Sequence, residues 1–130
     1  MTKIHFIKDE KELNQVLNIR KEVFVNEQNV PIEREIDGLD PKSKHIILYS
    51  NNIPCGCARL RIIDDSIKIE RVAILKANRG NGFGKKIISF CLEYASNAGL
   101  NFVKLHAQYH LRDFYSSFGF VEIGDTFFFT

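Results

Sequence analysis

The chain has 130 residues, of which 45% are hydrophobic and 26% are charged, and its formal net charge is +2. These values predict one ordinary globular domain over residues 1–130, and so small a charge argues against nucleic acid as a partner. Because no apolar run approaches the roughly 20 residues of a membrane helix and no N-terminal signal pattern occurs, we expect no membrane association and a cytoplasmic location.

Hydrophobic periodicity and breaker residues predict the elements in chain order. They are a strand at 3–7, an amphipathic helix from Asp9 to Phe24, an acidic loop at 26–44, strands at 45–49, 53–63 and 67–75, a helix at 85–98, a strand at 102–107, a short helix at 111–118, and strands at 120–123 and 126–129. An antiparallel meander that leads into a β-α-β crossover indicates an α/β (mixed α+β) fold, with a mostly antiparallel central sheet flanked by helices.

The three cysteines are Cys55, Cys57 and Cys91. An odd count without a secretory signal favours a reducing compartment. Cys55 and Cys57 would point to one face of their strand, and no second Cys or His pair has zinc-finger spacing. We therefore expect no metal site.

The glycine-rich stretch 79–84 joins a predicted strand to a predicted helix. The first N–H groups of a helix lack intrahelical partners and lie at the positive end of its dipole, and glycines let a pyrophosphate approach them. Residues 76–86 contain no acidic residue but four basic ones, Lys76, Arg79, Lys85 and Lys86. The spacing fits neither a P-loop nor a dinucleotide fingerprint, which disfavours a general nucleotide-binding domain. The alternatives are a site for another phosphate-bearing ligand and an ordinary basic turn.

Three motifs then occur in a familiar order. They are Val72-Ala73-Ile74 before the loop, Arg79-x-x-Gly82-x-Gly84 within it, and Phe114-Tyr115-x-x-x-Gly119-Phe120 near the C-terminus. The chain resembles the GNAT-type N-acetyltransferases, and its segments 20–31 and 107–110 are similar to the ElaA-like branch. The resemblance implies the GNAT acyl-CoA N-acyltransferase fold and direct transfer of an acetyl group from acetyl-CoA, as co-substrate, to a primary amine of a small molecule or peptide.

The resemblance also implies a coenzyme A site. In the family, the strand before the loop pairs with the pantetheine arm and the loop donates N–H groups to the pyrophosphate. Gln108 stands where the family usually has an asparagine. The implied residues are Val72, Ala73, Ile74, Arg79, Gly80, Asn81, Gly82, Phe83, Gly84, Lys85 and Gln108.

Tyr115 stands where the family places the general acid that protonates the departing thiolate, although a helix aromatic can equally belong to the core. Glu70 is the candidate base, because strand alternation places it on the side of Val72 and Ile74. A structural ion pair with a strand neighbour such as Arg59 is the alternative for Glu70.

Two histidines, His106 and His110, flank Gln108 and are further candidates for a proton relay, since histidine titrates near neutral pH. Val103 replaces a glutamate that some family members carry. This replacement leaves a non-catalytic acyl-CoA-binding module as the alternative function, against which Tyr115 argues.

The acidic loop is the candidate acceptor site. Its residues Glu27, Glu33, Glu35, Asp37 and Asp40 could hold a cationic amine, or form a solvated surface turn. We expect Glu27 and Gln28 near the cleft. Family members usually continue with a further strand after 126–129. That strand could be absent, trimmed, or supplied by a partner such as the second copy of a homodimer, and an aromatic edge left bare at 126–129 would invite pairing.

Overall fold

The computed structural model describes residues 1–124 and 126–129, except for the side chain of Tyr109. Seven strands form one sheet in the order β1-β2-β3-β4-β5-β7-β6, in which only β4 and β5 pair in parallel. The strands are β1 (Thr2–Phe6), β2 (Lys44–Ser50), β3 (Ile53–Ile63), β4 (Ser66–Ile74), β5 (Phe102–His106), β6 (Val121–Ile123) and β7 (Thr126–Phe129). The predicted fold class, a mixed and mostly antiparallel sheet flanked by helices, is confirmed.

Four α-helices accompany the sheet: α1 (Glu10–Arg20), α2 (Ile32–Glu35), α3 (Phe83–Asn97) and α4 (Arg112–Ser116). The Asp9 side chain caps α1 by accepting the Glu12 N–H at 2.9 Å. Beyond Arg20, α1 continues as a π-helical segment, Lys21–Glu27. Short 3-10 turns occupy Asp40–Lys42, Lys76–Asn78 and Tyr109–Leu111. The loop predicted at 26–44 therefore contains α2 and one 3-10 turn, both too short for periodicity to reveal.

The helices cover the two faces of the sheet. On one face, Val16 and Ile19 of α1 pack in a buried cluster with Ile47, Cys57 and Ala73. On the other face, α3 and α4 pack in a larger cluster whose buried members include Ile87, Ile88, Tyr115, Ile46, Leu60 and Leu105. No helix in the described part of the chain is both long enough and apolar enough to span a bilayer.

Two β-bulges shift the side-chain alternation that the sequence predicts. Leu48 pairs with Gly56 and Tyr49 with Pro54, so Cys55 is an extra residue in β3. Cys55 consequently packs in the α3-side cluster and Cys57 in the α1-side cluster. The expectation that both cysteines share one face is wrong.

The second bulge lies in β4 at Arg71, whose φ is +52°. Cys57 pairs with Ala73 but Arg59 pairs with Glu70, so β4 holds one residue more than β3 over this stretch. After the bulge, Val72 packs on the α3 side, whereas Glu70 bonds to Arg59 on the opposite face. The predicted shared side of Glu70, Val72 and Ile74 is therefore wrong, because strict alternation does not survive a bulge.

Beyond this point β4 separates from β5. The parallel ladder joins Ser66–Ile69 to residues 102–105, and its last pair is Ile69 with Leu105. The following residues of β4, from Glu70 to Ile74, face a gap on that side of the sheet. The gap is where the candidate site lies.

The terminal aromatic strand is not an edge. β7 lies between β5 and β6 and pairs with both, as in Leu105 with Phe127 and Val121 with Phe128. The expected bare edge at 126–129 is therefore wrong, because the β6–β7 hairpin folds back and leaves the short β6 outermost.

A buried ion network lies on the α1 face of the sheet. Arg20 and Arg59 have 0% and 1% of their surface exposed. Arg20 Nε lies 2.6 Å from Glu35 Oε1, and Arg20 Nη1 lies 2.7 Å from Asp40 Oδ1. Arg59 contacts the same Asp40 oxygen at 3.0 Å and Glu70 Oε2 at 2.5 Å. Burying charge is costly unless each charge is paired, and here every carboxylate meets a guanidinium.

We expect Arg59→Met to lower the free energy of unfolding by about 3–5 kcal/mol, because it leaves several buried carboxylates without their common partner. Denaturant titration followed by circular dichroism would measure the loss. Arg112→Met is the matched control, since its ion pair with Glu122 is exposed, at 41% and 33% of the two side chains, and such pairs contribute about 0–1 kcal/mol. Equal effects of the two substitutions would contradict a structural role for the network.

Candidate active site

Two cavities open in the gap between β4 and β5 and meet at its centre. The loop-side cavity, about 480 Å³ in volume, lies beside the glycine-rich stretch. The α2-side cavity, about 370 Å³, lies under α2 and the π-helical segment. The two share five lining residues: Gln28, Val72, Gln108, Leu111 and Tyr115.

The loop-side cavity has open space beside two glycines of the glycine-rich stretch. Gly80 and Gly82 have φ of +84° and +76°, and a Cβ added to either would meet no atom of the described protein within 4 Å. Gly82 is the N-cap of α3 and provides no side-chain cap, so the first N–H groups of this helix point toward open space. Only a residue without Cβ leaves this approach clear, which explains the glycines of the motif.

The structure brings most of the predicted coenzyme A residues together. Ten of them line the loop-side cavity: Val72, Ala73, Ile74, Arg79, Gly80, Gly82, Phe83, Gly84, Lys85 and Gln108. Asn81 does not line it, and its side-chain amide donates to the Asn78 carbonyl at 3.0 Å instead.

Arg79 and Glu27 form an ion pair with two contacts. Arg79 Nη1 and Nη2 lie 2.5 and 2.6 Å from the two carboxylate oxygens of Glu27, and Arg79 Nε donates to the Ile74 carbonyl at 3.0 Å. The hydrogen bonds from Arg79 lower the pKa of Glu27 below its ordinary value. Glu27 lines neither cavity, so the geometry does not support its predicted role in acceptor binding.

Gln28, the other predicted acceptor residue, lies at the junction of the two cavities. Its Oε1 accepts a hydrogen bond from Gln108 Nε2 at 3.0 Å. This contact ties the π-helical segment to the stretch after β5, directly across the gap.

Tyr115 also lies at the junction. It is 6% exposed, belongs to α4, and packs against the rings of Phe114, Phe120 and Phe127. Burial raises the pKa of Tyr115 to about 12. The ring of Tyr115 therefore belongs to the core, as the structural alternative predicts, and the residue also lines both cavities, so the predicted role as general acid stays a prediction.

Glu70 lines the α2-side cavity but bonds to three cations. Its carboxylate lies 2.5 Å from Arg59, 2.7 Å from Arg61 and 3.2 Å from Lys68. Burial alone would raise the pKa of Glu70, but the hydrogen bonds from Arg61 and Arg59 outweigh it and lower the pKa to about 2. A carboxylate this acidic is a weak proton acceptor at neutral pH, which favours the ion-pair interpretation over the general base.

The two histidines belong to different cavities. His106 lines the α2-side cavity, and its Nδ1 lies 3.3 Å from Thr126 Oγ1. His110 lines the loop-side cavity. In residues 1–124 and 126–129, no group of three or more His, Cys, Asp or Glu is arranged to hold a metal ion.

The predicted acidic acceptor site is wrong as a cluster of free carboxylates. Glu35, Asp37 and Asp40 turn toward the sheet and pair with arginines instead. Sequence reasoning also missed Arg34 and Arg71, which line the α2-side cavity. Neither residue has a local signal in the sequence, because α2 reaches the gap through long-range packing and Arg71 reaches it through the bulge.

Comparisons with known proteins show the family of this chain. The family model described as acetyltransferase (GNAT) domain matches residues 7–130. The chain belongs to the GNAT acetyltransferase family. The predicted family and the predicted enzyme class, an N-acetyltransferase, are thereby confirmed.

Relatives and solved structures support the assignment. A Bacillus subtilis (strain 168) protein named "Uncharacterized N-acetyltransferase YjcF" is 39% identical over 113 residues, which cover 87% of this chain and 81% of that protein. The crystal structure of Escherichia coli ElaA is 32% identical with a TM-score of 0.85, covering 98% of this chain and 97% of that one. A GNAT acetyltransferase from Brucella melitensis, solved in complex with acetyl-CoA, shares the fold at 16% identity with a TM-score of 0.83, covering 100% of this chain and 88% of that one.

Glu70→Gln separates the two roles of this carboxylate. A depressed folded-state pKa contributes stability that is present above the unfolded value of 4.5 and is lost as the pH falls toward about 2. We expect the variant to be less stable by about 3 kcal/mol at neutral pH and to lack this part of the acid-induced loss. Its kcat/KM should depend on pH as in the wild type between neutral and mildly basic values.

Denaturant titrations from acid to neutral pH, together with pH–rate profiles, would test this expectation. Glu93→Gln, on the exposed side of α3, is the control for loss of a surface carboxylate. A stable Glu70→Gln enzyme that has lost activity selectively at low pH would identify Glu70 as the base.

Proposed function

We propose that the protein transfers the acetyl group of acetyl-CoA to a primary amine of a small molecule or peptide bound in the α2-side cavity. One observation carries the proposal: two cavities with different linings meet at Tyr115 in the gap between β4 and β5. A donor in one cavity and an acceptor in the other would meet at this junction, so the acetyl group passes directly between them.

The loop-side cavity fits coenzyme A. Gly80, Gly82 and the first turn of α3 offer N–H groups and open space to a pyrophosphate, and Lys85 adds positive charge. The backbone of Val72, Ala73 and Ile74 lies along the open side of β4, where an extended pantetheine arm can pair with a strand edge. The thioester that the coenzyme supplies is the activated acyl group of the reaction.

Tyr115 stabilises the departing sulfur. The amine nitrogen attacks the thioester carbonyl, the C–S bond breaks, and the amine proton leaves as the amide forms. A phenol with a pKa of about 12 stays protonated across the physiological range, so its O–H is always available as a donor to developing thiolate charge. A thiolate of pKa about 8.5 does not remove that proton outright, so Tyr115 acts first as a hydrogen-bond donor.

The amine proton needs an acceptor other than Glu70, whose pKa is about 2. His106 lines the α2-side cavity, and a neutral imidazole can accept a proton on a ring nitrogen. We assign the first proton transfer to His106, directly or through water. The non-catalytic alternative accounts for the loop-side cavity but not for a second cavity that opens on the same tyrosine.

Gly82→Asn tests the coenzyme site. Asparagine tolerates positive φ, so the substitution adds a side chain in front of the N–H groups at little backbone cost. We expect calorimetry to show the affinity for coenzyme A falling tenfold or more, about 1.4 kcal/mol. Gly99→Asn is the matched control, because its φ is +71° and a Cβ there also meets no described atom within 4 Å. Equal affinities of the two variants would remove Gly82 from the site.

Tyr115→Phe tests the donor. The substitution keeps the buried ring and deletes only the hydroxyl that donates to the developing thiolate, so kcat should fall by about 10²–10³-fold while coenzyme A affinity stays nearly constant. Thiol-release kinetics and calorimetry would measure the two quantities. Tyr94→Phe, which removes a hydroxyl from a partly buried ring of α3, is the control. Wild-type turnover in Tyr115→Phe would assign this residue to the core alone.

A further inference from the structure

The charges around the α2-side cavity indicate which amines it accepts. Its wall carries two carboxylates, Glu35 and Glu70, and two guanidinium groups, Arg34 and Arg71. The charges on the wall alone sum to zero, so the electrostatic potential in the cavity depends on the charged groups behind the wall.

The carboxylates of the wall are already occupied. Glu35 Oε1 lies 2.6 Å from Arg20 and 3.3 Å from Arg71, and Glu70 contacts three cations. Among residues 1–124 and 126–129, the connected network holds four carboxylates and five arginine or lysine side chains, besides His45, which lies 4.0 Å from Asp40. The carboxylates are Glu35, Asp37, Asp40 and Glu70, and the cations are Arg20, Arg59, Arg61, Lys68 and Arg71.

Arg34 adds to this excess of positive charge. It is an exposed residue of α2 that lines the cavity, and its guanidinium has no ion-pair or hydrogen-bond partner among residues 1–124 and 126–129. Arg71 also faces the cavity, but it is held by the backbone carbonyl of Glu35 at 3.3 Å and by Asp37 at 3.4 Å. Arg34 is thus the cation of this wall that remains available to a ligand.

We propose that the acceptor is an amine that also carries an anionic group, a carboxylate in the first instance, and that Arg34 binds this group. This substrate class rests on the proposed function. Arginine matches the two oxygens of a carboxylate with two parallel N–H donors. The second ammonium group of a diamine or polyamine would find on this wall only Glu35 and Glu70, which are already paired with cations, and would therefore gain little.

The same charge excess favours the reactive form of the amine. Only the neutral amine attacks a carbonyl, and nearby positive charge disfavours the ammonium form. A basic acceptor cavity therefore reduces the work left to a general base.

The test compares matched acceptors with the complete chain and acetyl-CoA. The probes are α- and ω-amino acids, their carboxamides, and aliphatic diamines of similar length, with release of free thiol as the measurement. We expect kcat/KM for the amino acids to exceed that for their amides by about tenfold, and Arg34→Gln to raise KM for the acids by about tenfold while changing KM for the amides little. The preference should weaken at high ionic strength.

Two control variants accompany Arg34→Gln. Arg34→Lys keeps the charge and should restore part of the preference for acids, whereas Arg112→Gln removes an exposed arginine that lines neither cavity and should leave it unchanged. Equal or better use of amides and diamines by the wild type, or equal losses for acids and amides in Arg34→Gln, would overturn the proposal.

A binding measurement separates this proposal from the proposed function. In the presence of coenzyme A, N-acetylated amino acids should raise the melting temperature of the wild type more than their amides do, and the difference should vanish in Arg34→Gln. Such binding without turnover of any amine would refute the transfer reaction but keep the anion site. Turnover of amines without any carboxylate effect would keep the reaction and refute the anion site.

Discussion

The bulge at Arg71 is the constraint on which the site depends. A non-glycine residue at φ of +52° is strained, and such strain persists only where the surroundings hold it. Here Arg71 Nε lies within ion-pair distance of Glu35, and its Nη2 approaches the carbonyls of Arg34 and Glu35 at 3.3 Å each. Three consequences share this cause: β4 leaves β5, Val72 turns to the α3 side, and α2 is held over the gap.

The ion network that supports the bulge is built from groups on four different elements, all on the α1 face of the sheet. Arg20 comes from α1, Glu35 from α2, Arg59 from β3 and Glu70 from β4. Replacing a buried network with apolar residues often stabilises a protein, so its free-energy contribution alone does not explain its presence here. The geometry that the network imposes does explain it, since the network fixes α2 and the bulge relative to each other on the wall of the α2-side cavity.

The sequence predicted what depends on local chemistry and on order along the chain. The meander, the crossover, the glycine loop and the helix that follows it all have local signals, and ten of the eleven predicted coenzyme residues line one cavity. Predictions failed where one residue shifts the alternation or where partners are distant in sequence. The predicted face of Glu70 is wrong because the extra residue at Arg71 has no periodic signature. The predicted acceptor role of Glu27 has no geometric support, because Glu27 pairs with Arg79, which lies 52 residues away.

The acidic loop is a second case in which partners distant in sequence change the outcome. Read along the chain, Glu35, Asp37 and Asp40 form a negative cluster that suits a cation. In the fold they meet Arg20, Arg59 and Arg71, and the wall they support becomes basic. A run of like charges makes a surface negative only if its side chains remain solvated. Here the arginines are buried among apolar strands, and a buried charge is stable only when it is paired, so the carboxylates turn inward to pair with them.

In the proposed reaction, the direction of proton flow would follow from the two environments that meet at the junction. Positive charge around the α2-side cavity would favour release of the proton of an amine bound there. Burial raises the pKa of Tyr115 to about 12, so its O–H would remain a donor to the departing sulfur. Easier loss of the amine proton and a permanent hydrogen bond to the thiolate would together lower the barrier, so the proposed reaction needs no single strong base. This arrangement would allow Glu70 to remain in the ion network without loss of chemistry.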